Sequence, residues 1–547
     1  MSKELKKFQN VCAVINKKCS HPQWGAFYLQ VEAGNISENT FLLSTDVLFE
    51  VGMGKKACDL MVIALDIFPN SASLLEKTVL ALRQYDREKE AERLLKKRIK
   101  VDAKDWLSTR LLARICFHRG QADHYEKIIS TFLEENPDHL DALIETAKHE
   151  LVQGEGDVEE VLGKILQIEP HNFYALSQMQ QHFAQLGMFD KSLSYLEEMK
   201  RLYPEEALTA YCEGFYFDLK LEFETALNFY NKALQMNPQF IEAYGKSGGM
   251  LMKLGVDLPE AWYRLEARFP QLLNRPQGDF WRGEDLNGKS LLIWAEQGIG
   301  DQLSYASMLR DLPEGVSKVD LECDDKLVPL FKRSFPDFTV YGRRTHRKDH
   351  YDYHSPIGAL GRYLRPSLES FSATEAQPLL TDAQLDDKWQ NWLDSLGEGV
   401  KVGLCWRSGH ITRKRKQEAI DLLGSFADVL KQSNLTFINL YYGEAGAELQ
   451  AVADELGITI HQPPELDQYT DIDQTACLVK GLDYAVGVAS APIRLAQAVG
   501  TKTVLLYRGN AGVVDPLWWP GATYINRKLD EDWTDFKALI QILNSQP

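Results

Sequence analysis

Prolines stand at Pro69, Pro137, Pro170, Pro204 and Pro238, at intervals of 68, 33, 34 and 34 residues. The first interval is two periods of 34, with Ala103 where the intervening proline would fall. Each period is a unit too small to bury its own apolar face, so neighbouring units must stack. The copy from Ala207 to Pro238 shows what a unit contains. Small residues, such as Gly214, Ala226 and Ala233, let two antiparallel helices approach closely, Phe223 and Tyr230 fill the space between units, and Pro238 stops the second helix. Other copies keep part of this: Gly52, Ala57 and Ala64 before Pro69, Ala113 and Gly120 before Pro137, Gly187 and Phe189 before Pro204.

The period and these positions resemble the tetratricopeptide (TPR) family. The resemblance implies an all-α solenoid over 39–271, about six repeats and a closing pair to Pro270, after an N-terminal helical segment, 1–38. The concave face of such a solenoid binds extended peptides or other proteins. A purely structural or dimerising solenoid is the alternative.

After Pro270 the pattern changes. Residues 272–288 are rich in Gly, Pro, Asn and Asp and read as a linker. Apolar runs then alternate with helical stretches. Strands are predicted at Ser290–Ala295, Lys318–Glu322, Phe338–Tyr341, Val400–Trp406, Thr436–Tyr441, Tyr484–Val488 and Thr503–Tyr507. Strand-then-helix alternation implies parallel sheets with crossover helices. The length suits two doubly wound, Rossmann-like lobes, 289–384 and 385–547, so the predicted fold is α followed by α/β.

Ligands in such sheets bind at the C-terminal ends of strands, and three ends draw attention. The first carries Gly298-Ile299-Gly300-Asp301. A plain strand-to-helix turn needs at most one glycine, and the second lets a ligand approach the backbone. Asp301 reads equally well as a functional carboxylate or as a helix cap. The second end is Cys405–Gln417, with Arg407, Ser408 and Lys414 as candidates and Arg415 and Lys416 as a solvated loop. At the third, Ser490 and Pro492 announce a helix whose free N–H groups suit a phosphate. Arg494 is a cation in the first turn of that helix, which makes sense with an anion beside it.

The net charge of −17 argues against a non-specific nucleic-acid binder. The eight cysteines are scattered without a CxxC pair, so reduced thiols in a cytoplasmic protein are expected, with neither disulfides nor a zinc site. No signal peptide or membrane-spanning run is read in the sequence.

Together the stretches WAEQGIGDQLSYASML, VGLCWRSG, FINLYYG, TACLVKGLDYAV and SAPIRLAQAVGTKTVLL resemble TPR glycosyltransferases with a GT-B catalytic half similar to bacterial heptosyltransferases, and in architecture to O-linked N-acetylglucosamine transferases. The resemblance implies an inverting, metal-independent transferase that takes a nucleotide sugar as co-substrate and needs no cofactor. Asp301 matches the family's catalytic base, and Gly298, Gly300, Arg407, Ser408, Lys414, Ser490 and Arg494 fall on the donor and phosphate side. The acceptor would be a protein recruited by the repeats. Near 489–494 the family pattern is Asp-Thr-Ala and then His. Here Ala489 replaces the aspartate and Arg494 the histidine, while Ser490 keeps the hydroxyl. That departure motivates an alternative, a TPR scaffold with an inactive GT-B relic. A transferase acting on envelope glycan is the third reading.

Two motifs are set aside. Asp471-Ile472-Asp473 resembles a metal-binding DxD but precedes a helix that it can cap. His346, His350 and His354 lie in a cationic stretch, RRTHRKDHYDYH, read as a flexible loop.

Overall fold

The computed structural model describes the chain except for residues 1–2, 154–155, 267–277, 296–297, 346–348, 373–377, 410–418, 534–535 and 546–547. Sixteen helices come first among these residues, in eight antiparallel pairs. From the second pair on, the leading helices begin at Glu38, Ala72, Trp106, Leu140, Phe173, Ala207 and Ile241, which restates the proline period. The caps repeat with it. Ser37, Ser71, Asp105 and Asn172 each accept a backbone N–H from three residues on. The turns inside six of the pairs contain a left-handed residue, Gly52, Asp86, Gly120, Gly187, Leu221 and Gly255, with φ between 59° and 74°. The segment 1–38 is itself a hairpin, Lys3–Asn16 and Pro22–Glu32, starting 35 residues before Glu38.

The chain divides into two compact units. One comprises Met1–Leu151 with Asp157–Pro170, and the other Val152–Gly156 with His171–Pro547. The first is five helix pairs around a core that includes Phe8, Trp24, Phe41, Leu60 and Leu82. The second joins three helix pairs to the α/β half, so the compact units part inside the repeats rather than in the linker read at 272–288.

The α/β half contains two all-parallel sheets. The first uses β1 (Asp279–Phe280), β2 (Ser290–Trp294), β3 (Lys318–Cys323), β4 (Thr339–Gly342) and β5 (Tyr353–Pro356), in the order β1-β5-β2-β3-β4. The second uses β6 (Val400–Cys405), β7 (Leu435–Asn439), β8 (Ile460–His461), β9 (Tyr484–Val488), β10 (Lys502–Arg508) and β11 (Ala522–Arg527), in the order β11-β10-β9-β6-β7-β8. Read from β8, this is the doubly wound order 3-2-1-4-5-6. The fold is thus a TPR-like helical run followed by a GT-B-like pair of lobes.

Two sequence expectations are corrected. The linker contains β1, which pairs with β5. The stretch read as a flexible loop ends in β5, a strand inside the sheet whose buried His354 accepts a hydrogen bond from Trp294 Nε1 at 3.3 Å. His350 is exposed, and His346 lies outside the described residues.

Within the second unit the last three helix pairs rest on the lobes through their turns. A Cβ on Gly187 would lie 2.5 Å from the Leu529 carbonyl, and one on Gly255 would lie 2.9 Å from Val513 Cγ1. Val513 N–H donates to the Lys253 carbonyl at 2.8 Å. Trp262, on the final helix Leu258–Glu266, donates from Nε1 to the Arg365 carbonyl at 3.0 Å and packs with Phe371, Val514 and Trp518. Among the described residues no helix is long and apolar enough to cross a membrane.

Candidate functional site

In a doubly wound sheet, strand order reverses at a switch point, and the loops leaving the two strands there part and leave a crevice. The first lobe reverses between β2 and β5, the second between β6 and β9. The loop that leaves β2, beside the first switch point, and the loops that leave β6 and β9, at the second, line one cleft of about 450 Å³. From the first lobe it receives Gly298, Ile299, Gly300 and Asp301, which follow β2, with Asp324 and Lys326 after β3. From the second come Ser408 after β6, Tyr442 after β7, Gln468 and Tyr469, and Ser490 and Arg494 after β9.

The helix Ile299–Tyr305 starts at Gly298, which is its N-cap, so Asp301 stands at the third helical position and not at the cap. Gly298 has an ordinary φ of −80°, and a Cβ there would meet nothing within 4 Å. A Cβ on Gly300 would touch only Arg494 Cγ, at 3.7 Å. The fold demands neither glycine, and the space their missing side chains leave is cleft. Gln302, 1% exposed, accepts the Asp324 N–H through Oε1 at 2.9 Å and ties the two loops of the first lobe together.

Opposite, the helix Ala491–Ala498 begins at Ser490. Ser490 does not cap it through its side chain, because the hydroxyl donates instead to Cys405 Sγ at 3.2 Å. Burial raises the Cys405 thiol pKa to about 11, against the pull of Ser490 and the Arg407 backbone. Arg494 lines the cleft already partnered. Its Nη2 donates to Asp515 Oδ1 and Oδ2 at 2.9 and 3.2 Å, and its Nη1 to Gln497 Oε1 at 3.1 Å. Burial works against its charge, but Asp515 and Tyr524 outweigh it and hold the guanidinium pKa above its ordinary value.

Ser408 lines the cleft and is buried. Arg407 is not brought there. It donates to the Glu444 carbonyl at 3.0 Å, pairs with Glu448 at 3.0 Å and lies over the Tyr441 ring. The acidic start of the helix Gly446–Leu456 draws it away. Lys414 falls outside the described residues. Of the DxD stretch, Asp471 caps the helix Ile472–Lys480 by accepting from Gln474 N, and Asp473 forms a two-oxygen pair with Arg333 across the lobes.

Among the lining residues that sequence reasoning did not single out are Lys326, Tyr442, Gln468 and Tyr469. Lys326 Nζ sits 3.3 Å from the centroid of the Tyr469 ring, a cation–π contact from one lobe to the other. Tyr442 and Tyr469 face each other with centroids 5.7 Å apart and planes 32° apart. Gly409 makes room for Tyr442, since a Cβ there would lie 2.2 Å from its ring. Asp467 holds the Tyr469 turn by accepting from Thr470 Oγ1 and from the Tyr469 and Thr470 N–H groups, which keep its carboxyl below the usual range. Gln468, 7% exposed, donates to the Asn439 carbonyl, and its buried Oε1 has no hydrogen-bond partner among the described residues. All four follow strand ends, which was the one signal available.

Fold and cleft together define a helical-repeat protein with a GT-B-like pair of lobes. No family model matches the chain. Protein FlbA of Caulobacter vibrioides is 29% identical over 422 residues, covering 72% of this chain and 70% of that protein. A glycosyl transferase family 9 structure from Veillonella parvula is similar at 12% identity over 48% of this chain and 92% of its own, with a TM-score of 0.35. An O-GlcNAc transferase mutant from Thermobaculum terrenum is similar at 15% identity over 74% and 91%, with a TM-score of 0.27. At these scores the fold rests on the chain's own strand order and repeats.

Proposed function

We propose that the chain transfers a glycosyl group from a nucleotide sugar to a protein recruited by the repeats. One observation carries this reading: strand-end loops of both lobes line a single cleft, with Asp301 on one wall and the start of the helix Ala491–Ala498 on the other. The base of the nucleotide lies against Tyr442 and Tyr469, and Gln468 Oε1 accepts a hydrogen bond from it. The diphosphate faces Lys326, Arg494 and the helix N-terminus. Asp301 takes the proton of the attacking acceptor hydroxyl while the nucleoside diphosphate leaves the anomeric carbon. A single direct displacement of this kind inverts the anomeric centre and asks for no metal.

A second reading, a scaffold with an inactive α/β half, is favoured by the Arg494–Asp515 pair, which occupies a cation the reaction would use. The test has two steps. Calorimetry titrates ADP, GDP, UDP and CDP into the intact chain. Mass spectrometry then examines proteins co-purified with the chain, with and without the active gene. Nucleotide binding with a sugar-sized mass on a partner protein supports transfer. Binding with the mass on a glycan moves the acceptor to envelope polysaccharide. The absence of any nucleotide binding at millimolar concentration leaves the scaffold.

A further inference from the structure

The anion that would make sense of Arg494 is present, and it belongs to the chain. Asp515 lies on the short helix Asp515–Trp518, just after β10, in a segment that the last helix pair of the repeats holds from the other side. Three contacts make that hold. Val513 N–H donates to the Lys253 carbonyl. Gly512, with φ of 75°, lies so close that a Cβ would be 2.5 Å from Lys253 Cα. Val514 packs with Leu258 and Trp262. The next turn of the same segment bears Trp518, whose ring lies 6.1 Å from Trp262 and 5.7 Å from Tyr305, the last residue of the helix that carries Asp301.

We propose that Asp515 is a positioning residue that locks Arg494 as an internal counter-ion, and that the last repeat pair, through Lys253 and Trp262, sets how firmly the lock is closed. The geometry separates the two ends of the device. Arg494 has further anchors in Gln497 and the face of Trp519, so it stays in the cleft when Asp515 lets go. Asp515 has a second partner in the Tyr524 hydroxyl, which donates to Oδ2 at 3.0 Å, so the carboxylate has somewhere to rest when Arg494 turns to a ligand. An arriving diphosphate therefore competes with Asp515 for one guanidinium. Any partner that shifts the end of the repeats changes the terms of that competition, because the segment 512–518 is packed on them.

The inference rests on the reading of the cleft as a diphosphate site, and the test keeps the two apart. Inorganic pyrophosphate and the nucleoside diphosphates are titrated by calorimetry into the intact chain and into Asp515→Asn, Arg494→Ala, the double variant and Gly512→Ala. Asp515→Asn should bind about tenfold more tightly, the order of one charge-assisted hydrogen bond released to the ligand. Arg494→Ala should weaken binding, and the double variant should lose the gain that Asp515→Asn gives alone. Gly512→Ala loosens the segment at a point outside the cleft and should shift affinity in the same direction as Asp515→Asn. Where Gly512→Ala melts well below the parent, Val513→Ala takes its place, since it keeps the backbone hydrogen bond. Tight binding by the parent, unchanged or weakened in Asp515→Asn, overturns the lock and leaves the diphosphate reading standing. A gain in Asp515→Asn without any in the segment variants overturns the part given to the repeats. A parent that binds neither pyrophosphate nor nucleotide overturns the diphosphate reading, and the lock with it.

Discussion

Asp301 and Gly298 are the residues at which fold and chemistry separate most cleanly. Asp301 occupies the third position of its helix and Gly298 the cap, so Asp301→Asn costs the helix only its interaction with the dipole, about 0.3–1 kcal/mol. If Asp301 is the base, the same change lowers transfer by about 100-fold or more. A melting temperature near the parent's with turnover also unchanged would remove Asp301 from that role. Gly298→Ala is the sharper probe. Its φ is ordinary and its Cβ would enter open cleft, so alanine should leave stability as it was and still weaken nucleotide binding. Equal affinity in parent and variant would mean that no ligand passes over that backbone. The sequence pointed to this loop through its residue types alone. It could not show that Arg407 turns to Glu448, or that Arg494 carries Asp515, because both partners lie beyond the motif, in elements brought close only by folding.

At the scale of elements, the repeats offer a matched pair of glycines. A Cβ on Gly214 would lie 2.7 Å from the Tyr230 ring, which packs between the two helices of its unit. Gly214→Ala should therefore destabilise by about 1–3 kcal/mol through overpacking. Gly245 sits inside the helix Ile241–Leu254 with nothing within 4 Å of its Cβ position, and Gly245→Ala should stabilise by about 0.5–1 kcal/mol through helix propensity. Chemical denaturation of both variants checks the pair, and equal effects would show that close helix approach does not select glycine here. The same contrast explains what was legible. Seven strands and the helix period could be read because an apolar run or a recurring small residue announces itself locally. β1 and β8 have two residues each, too short to show an alternation. β5 reads Tyr-His-Ser-Pro, polar by composition, yet it is buried because Trp294 satisfies His354 from another strand. The aromatic and cationic wall of the cleft was missed for a related reason: Lys326 and Tyr469 belong to different lobes and meet only in three dimensions.

For the whole molecule, the position of a cut decides whether the α/β half survives alone. A sequence reading places the division between recognition and chemistry in the linker, so that a fragment starting at residue 276 would keep the cleft. The packing argues otherwise. Removing the final helix pair uncovers Val514, Phe371 and Trp518, which Leu258 and Trp262 now cover, and strands the Arg365 carbonyl without the Trp262 donor. Two apolar side chains lost from a core cost about 1.5–3 kcal/mol each, together a large fraction of the stability of an ordinary domain. The segment that bears Asp515 would also lose its support from Lys253, so the damage would reach the cleft itself. A fragment of residues 171–547 keeps all three helix pairs of the second compact unit and every one of these contacts. It should melt cooperatively and bind nucleoside diphosphates about as tightly as the intact chain. The fragment 276–547 should melt at a markedly lower temperature, or fail to melt cooperatively, and its affinity should differ from that of 171–547, because the hold on the segment that bears Asp515 is gone. Should the two fragments prove equal in both measurements, the last repeats would be a detachable recognition module, and the acceptor they hold would owe its place near the cleft to tethering alone.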